Sequence, residues 1–278
     1  ATRGATEVGP NRGGRAEVKG NVNRTSIPWC THTWTVTTGC TPCSPGCAHC
    51  YAKAMARRFH RSFDVTLHPE RLEEPLRVRQ SAKIFVCSTS DIFHKNVPDE
   101  FIGHVWDVML RASCHTFLVL TKRPVRMRDW LSGKYPTPLP NVWCGVSAED
   151  QTRADERIPI LLDTPAAIRW ASLEPLLGPV DLRYLLDWVA CGGESGGPPE
   201  RALVERCPST TNAEASAACL GTSWRLKSDR AEWVRSIRDQ CQASHVPWFW
   251  KGGGGPYQGA AGDLLDGQAY HEWPEVSR

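Results

Sequence analysis

Long apolar runs are missing from this 278-residue chain. None reaches the length of about 18 residues that a membrane-spanning helix needs, so a membrane protein is excluded as an expectation. The opening "ATRGATEVGPNRGG" has no apolar stretch of the kind a secretory signal carries. A cytoplasmic protein is therefore expected. There is no internal repeat beyond an alternation of strand-like and helix-like segments. Net charge is nearly absent too, at +3, and the whole of it sits in the first 24 residues. There Arg3, Arg12, Arg15, Lys19 and Arg24 face only Glu7 and Glu17, and the rest of the chain balances. A basic, Gly-rich arm over 1–25 is the expectation, either solvated or tracking a phosphate backbone.

What is present is a full-sized core composition, 41% apolar and 23% charged, and twelve cysteines. Disulfide scaffolds are usually short and secreted, so in a long chain without a signal the thiols read as reduced groups or as ligands. Seven apolar, β-rich runs follow one another: "HTWTVTTGC", "AKIFVCSTSD", "TFLVLTKRP", "NVWCGVSAED", "AIRWASLEP", "LDWVACGGES" and "VPWFWKGGG". Helix-like segments separate them, the clearest being "PDEFIGHVWDVMLRAS", where Phe101, Val105, Val108 and Met109 recur at helical spacing behind Pro98, Asp99 and Glu100. Strands alternating with helices imply an α/β fold with a parallel sheet, and this count points to a partial or full (β/α) barrel over 26–254. Residues 197–228 break the alternation as an insertion, a lid or a flexible loop. Residues 255–278 form a C-terminal extension wrapping the barrel.

Each run ends in polar residues: Ser88, Ser90 and Asp91; Lys122 and Arg123; Ser147 and Glu149; Glu174; Glu194 and Ser195; Lys251. In a barrel these ends share one face, and that face carries the chemistry. The loop after the first strand, "TGCTPCSPGCAHCYA", places Cys40, Cys43, Cys47 and Cys50 within eleven positions. A zinc knot would have to close over only three residues between its two pairs, where ribbon-type sites have a dozen or more. A ferredoxin-like cluster on all four thiolates matches neither ferredoxin spacing. The third reading uses three thiolates, because Cys43-x3-Cys47-x2-Cys50 resembles the motif of radical S-adenosylmethionine enzymes. Such enzymes are partial or full barrels with the cluster loop after the first strand. Three cysteines hold a [4Fe-4S] cluster whose fourth iron takes S-adenosylmethionine.

The segments "TSIPWCTHTWTVTTGCTPCSPGCAHCYAKAMARR", "CSTSDIFHKNVPDEFI", "LTKRPVRM", "WCGVSAEDQ", "SLEPLLGPVDL", "CGGESG" and "WVRSIRDQCQASHVPWFWK" together resemble a phage-encoded radical-SAM-like family. That family has long been catalogued as a phage domain of unknown function with a three-cysteine motif. The resemblance runs from about residue 26 to 252. It implies Cys40, Cys47 and Cys50 as the cluster ligands, whereas spacing alone favours Cys43, so Cys43 stays open as an alternative or fourth ligand. Members have been linked to hypermodified thymine in phage DNA. The resemblance thus implies an isomerase acting on an amino-acid-substituted thymidine, in DNA or as its nucleotide, fed by an external one-electron reductant. A radical lyase of DNA lesions and a non-catalytic zinc- or cluster-stabilised DNA-binding module are the alternatives. The oligomeric state is left open.

Further roles follow. His49 is placed to stack on the adenine of the cofactor. Ser88, Ser90 and Asp91 are candidates for its ammonium, and Ser147, Glu149 and Glu174 for other cofactor contacts. Glu194, Ser195, Lys122 and Lys251 are candidates for substrate. Cys87, Cys144 and Cys191 precede the polar strand ends as core residues or as a hydrogen-atom donor, Cys191 being the one assigned to the site. Lys53, Arg57 and Arg61 share a helix face at i, i+4 spacing, and Arg123 and Arg126 form a second basic group. Both groups read as nucleic-acid contacts.

Overall fold

The computed structural model describes residues 22–207, 223–257 and 259–275. Most of the basic arm and the centre of the 197–228 insertion lie outside these residues. Eight strands form one sheet: β1 (Val22–Arg24), β2 (His32–Trp34), β3 (Lys83–Val86), β4 (Thr116–Thr121), β5 (Val142–Ser147), β6 (Ile168–Leu173), β7 (Trp188–Cys191) and β8 (Trp248–Trp250). They pair in chain order. All seven runs marked in the sequence are there as β2 to β8, and they run parallel. An eighth strand, β1, pairs antiparallel with β2 at the edge, formed by the last residues of the basic arm. Among the described residues β8 does not pair back onto β1 or β2, so the barrel is partial, an open and mostly parallel sheet.

The helices lie where the periodicity expects them: α1 (Tyr51–Arg58), α2 (Asp99–Arg111), α3 (Pro124–Lys134), α4 (Gln151–Leu162) and α5 (Ser228–Ala243). In α2 the apolar stripe buries Phe101, Ile102, Val105, Trp106, Val108 and Met109, with Asp99 and Glu100 at the positive end of the helix dipole. In α4 the Asp150 carboxylate caps the first turn by accepting from Arg153 N at 2.8 Å. One crossover departs from the expected alternation. Residues 174–187 contain no helix, because Pro175, Gly178 and Pro179 break any turn while Leu176, Val180 and Leu186 are still buried.

Alternation along the strands divides the core in two. One set of side chains faces the helices. The other fills the concave side with Trp29, Phe85, Leu118, Trp143, Trp170, Trp188 and Phe249. Their rings touch in sequence, Trp29 to Trp170 at 5.4 Å, Trp170 to Trp188 at 5.1 Å and Trp188 to Trp273 at 4.9 Å. This plug closes one end of the partial barrel, and the polar strand ends open at the other. The C-terminal extension covers the free edge of β8. Trp250 N donates to Tyr270 O at 2.8 Å, Glu272 N donates to Trp248 O at 3.1 Å, and Trp273 stacks on Trp188. A sheet edge left bare would invite pairing with another chain.

Candidate active site

The cysteine loop leaves the sheet just beyond β2. Thr37–Thr38 pairs with Thr66–Leu67, and Gly39 then turns with φ +79°, where an added Cβ would fall 2.1 Å from Asp64 O. A short 3-10 turn, Pro45–Cys47, follows, and Cys50 caps α1. All four cysteines line one cavity of about 620 Å³ at the open end of the sheet, a volume typical of small-molecule and cofactor sites. His49, Ser88, Ser90, Asp91, Lys122, Arg123, Ser147, Glu174, Glu194, Ser195 and Lys251 line it too. The strand ends picked from the sequence are therefore brought together. Glu149, Cys191, Lys53, Arg57, Arg61 and Arg126 do not line it.

The thiols carry an internal bias. Cys43 donates to Cys47, which holds Cys47 well below the ordinary thiol range and pushes Cys43 up. Burial raises Cys40, and Arg123, whose Nη1 lies 3.7 Å from its sulfur, opposes that rise. Four free thiols on one short loop, with a guanidinium beside one of them, make a soft, thiolate-rich donor set suited to iron–sulfur or zinc binding. A single zinc would need its sulfurs about 3.8 Å apart, from a Zn–S bond of about 2.3 Å in a tetrahedron. Among the described residues no three His, Cys, Asp or Glu side chains are gathered for one ion. A cluster instead takes each thiolate on a separate iron and does not need the sulfurs to meet around one ion, and the four-thiol loop supplies the donor type it takes.

Several expected roles change once partners are counted. Asp91 is saturated by the protein itself: it accepts from Phe93 N at 3.0 Å, Thr121 Oγ1 at 2.8 Å, Lys122 N at 3.1 Å and Arg123 Nη1 at 2.8 Å. It anchors Arg123 rather than standing free for an ammonium. Arg123 in turn donates to Thr41 O at 3.0 Å and braces the cysteine loop. Ser90 Oγ is bonded to Thr37, and the Ser88 carbonyl accepts from the Tyr51 hydroxyl. Arg126 grips His94 O, Val97 O and the Asp99 carboxylate, which locks α3 to the start of α2 and takes it out of the nucleic-acid group. Cys144 and Cys191 pack into the helix-side core, because their strand positions alternate with the concave-facing ones. Cys87 alone of that trio lines the cavity, accepting from Thr37 Oγ1 at 3.3 Å.

Glu149 is fully buried. Burial would raise its carboxyl, but Lys122 and Arg157 outweigh burial and hold it below the usual range. It pairs with Arg157 at 3.0 Å and accepts from Gly46 N at 3.1 Å. Glu194 is bound in a two-point fork by Arg201, at 2.7 and 2.8 Å, so it is not open to a substrate ribose. Arg157 and Arg201 escaped the sequence reading. Arg157 lies mid-helix and Arg201 in an irregular segment, and only the fold brings either to the loop. Two groups keep free valences toward the cavity. Lys251 Nζ is held by Ser172 Oγ and Glu174 Oε2, both at 2.8 Å, over the Trp29 ring, and Glu174 Oε1 has no hydrogen-bond partner among the described residues. The Lys122 ammonium has no hydrogen-bond partner among the described residues and sits in the field of Cys47 and Glu149.

Residues 24–219 match the family described as "Protein of unknown function (DUF5131)", well over half of the chain. The chain belongs to this family. No curated protein matches it. Among solved structures it is similar to spore photoproduct lyase. A single-site mutant gives 8% identity and a TM-score of 0.49, over 86% of this chain and 80% of that one. The same enzyme complexed with dinucleoside spore photoproduct gives 9% and 0.47, over 87% and 80%. A double mutant with bound AdoMet and the dinucleoside gives 9% and 0.49, again over 87% and 80%. Within the DUF5131 family the chain presents an open, mostly parallel α/β sheet with its cysteine loop at the cavity mouth. None of the described helices is long and apolar enough to cross a membrane.

Proposed function

We propose that this chain is a radical S-adenosylmethionine enzyme that rearranges an amino-acid-substituted thymine in DNA, with the base turned out of the strand into the cavity. The observation that carries the reading is the convergence of Cys40, Cys43, Cys47 and Cys50 on a cavity at the strand ends of a parallel sheet. The thymine substrate rests on the sequence resemblance to the phage-encoded family. When bound, a four-iron cluster with S-adenosylmethionine and an external one-electron reductant supplies a 5′-deoxyadenosyl radical, which takes a hydrogen atom from an unactivated carbon.

The chain's own residues do the rest. Three of the four thiolates would hold the cluster, and Arg123 braces Cys40. Glu174 Oε1 accepts from an ammonium, and Lys122 faces a carboxylate or phosphate. His49 lies at the rim for stacking. The tryptophan plug keeps water from the far end, which protects a reactive carbon centre from side reactions.

The helix beside the cavity supports a DNA partner. Tyr51, Met55 and Phe59, spaced i, i+4 and i+8, leave large apolar groups exposed along α1, and the first two line the cavity. Arg58 and Arg61 lie 5.9 and 5.7 Å from the Phe59 ring centre. Lys53 and Arg57 lie on the opposite side of α1, and none of these four cations has a carboxylate partner among the described residues. Cations interleaved with exposed aromatic faces are how sequence-tolerant sites hold a strand with unstacked bases. Reaching the cavity requires such an everted base.

The test is incubation of reconstituted protein with DNA carrying amino-acid-substituted thymine, S-adenosylmethionine and reductant, followed by nucleoside analysis. An isomer of the same mass as the starting nucleoside is expected. Unchanged nucleosides with every modified DNA tried would contradict the substrate, and turnover confined to damaged DNA would replace the isomerase with a lyase.

A further inference from the structure

Two ion pairs near the mouth, one fully buried and one part-buried, reach the backbone of the turn between Cys43 and Cys47. From one side, Glu149 Oε1 accepts from Gly46 N at 3.1 Å, while its Oε2 takes Arg157 Nη1 at 3.0 Å. Arg157 Nη1 also donates to Ser147 O at 2.8 Å, so the pair is tied to the end of β5. From the other side, Arg201 spans the Glu194 carboxylate and sends Nη2 to Pro45 O at 3.1 Å. Each carboxylate sits where a glycine leaves room. A Cβ on Gly46 would fall 2.9 Å from the Glu149 carboxyl, and one on Gly197 would fall 2.1 Å from Glu194 Oε2.

The turn needs outside support. It spans three residues, buries none of them, and has two backbone hydrogen bonds of its own, Cys47 N to Ser44 O at 2.9 Å and Ala48 N to Pro45 O at 3.2 Å. An element that short has no packing to fix its shape; Cys47 is its last residue and Cys43 lies two positions before its first. Burying an ion pair is costly unless its remaining valences are satisfied. Here the spare valences are spent on neighbouring Pro45 and Gly46, which fixes the turn from two directions.

We propose that Glu149 and Arg201 are positioning residues that clasp the Cys43–Cys47 turn and pre-set the spacing of its sulfurs before metal arrives. Arg201 comes from the segment after β7, so the clasp also ties the cysteine turn to the glycine-rich rim at Gly192–Gly197. The cluster reading above supplies only the identity of what the turn holds.

The experiment uses the full chain with Arg201→Gln/Glu194→Gln, which removes both charges of one pair, and separately Gly46→Ala, which displaces Glu149 without removing a charge. Amide exchange over residues 44–48 is measured in the metal-free protein, and iron release to a chelator in the reconstituted protein. Expected are faster exchange confined to that turn and iron loss about ten- to a hundredfold faster in both variants, with an unchanged unfolding midpoint of the metal-free Arg201→Gln/Glu194→Gln chain. Unchanged exchange in both variants would overturn the clasp. Faster exchange with unchanged iron release would overturn the positioning role, as would iron loss that merely follows a lowered unfolding midpoint. If the wild-type chain takes up zinc and no iron–sulfur cluster, the radical reading fails. Exchange, with zinc release in place of iron release, still decides this proposal.

Discussion

Asp91 looks, by position, like a ligand for a positively charged group, and the hydrogen-bond count around it decides otherwise. Four donors from Phe93, Thr121, Lys122 and Arg123 converge on its two oxygens, so the carboxylate has nothing left to offer a cofactor. Its effect on the site runs through Arg123, which lies between Asp91 and Cys40. Removing one partner of a buried pair strands the other charge, which costs about 3 kcal/mol or more, whereas deleting a hydrogen bond to a charged group costs about 1.5–3 kcal/mol. Urea denaturation of the metal-free protein should therefore show Asp91→Ala losing more stability than Thr121→Val, whose hydroxyl bonds the carboxylate and accepts from Arg123 N. Equal losses would mean that the carboxylate is not the hub described. The same counting shows Arg126 and Glu194 engaged by the protein's own groups and leaves the Lys122 ammonium and Glu174 Oε1 without a hydrogen-bond partner among the described residues.

At the scale of elements, seven strands and the α2 stripe were legible because a buried parallel strand is a continuous apolar run and an amphipathic helix has a period. The connection at 174–187 was not, since the alternation of its neighbours implied a helix that its prolines and glycine forbid. Nor was β1, three residues at the end of a basic, polar arm whose pairing with β2 is all that makes it a strand. The C-terminal extension was expected to wrap the barrel, and its residues 270–273 lie along β8. Its hairpin, Leu264–Leu265 with Gln268–Ala269, is pinned to α5 by Asp266. Arg235 and Arg238 bond to that carboxylate at 2.7 and 3.1 Å and hold it below the usual carboxylate range. A carboxyl lowered in the folded state stabilises fully above its unfolded value, near 3.8, and loses that contribution as pH falls through the folded one. Asp266→Asn should thus be less stable than wild type at pH 6, with the gap closing at pH 3. A gap that persists at pH 3 would assign the effect to packing instead.

For the molecule as a whole, the cysteine loop and the strand ends were readable because a barrel delivers them all to one face. Thr121, Lys122 and Arg123, which consume Asp91 from 30 to 32 positions away, and Glu149 and Arg201, which reach the cysteine turn from 103 and 156 positions away, are contacts that no local pattern encodes. The exposed side of α1 joins large apolar groups with neighbouring cations at the cavity rim. Fluorescence anisotropy with single-stranded DNA should show Phe59→Ala weakening binding about tenfold, in the range expected for one stacked base. Arg58→Gln with Arg61→Gln should instead flatten the salt dependence. If neither variant alters DNA binding, the strand does not run along α1.

The central claim is that the loop from Cys40 to Cys50 holds a redox-active cluster that S-adenosylmethionine can reach. Anaerobic reconstitution with iron and sulfide, reduction in the presence of S-adenosylmethionine, and quantification of 5′-deoxyadenosine test it most directly, with Cys40→Ala, Cys43→Ala and Cys47→Ala alongside. The account predicts 5′-deoxyadenosine from the wild type and none from Cys47→Ala, with whichever of the other two variants is also inactive naming the third ligand. A protein that holds zinc, takes up no iron and leaves S-adenosylmethionine intact would contradict it.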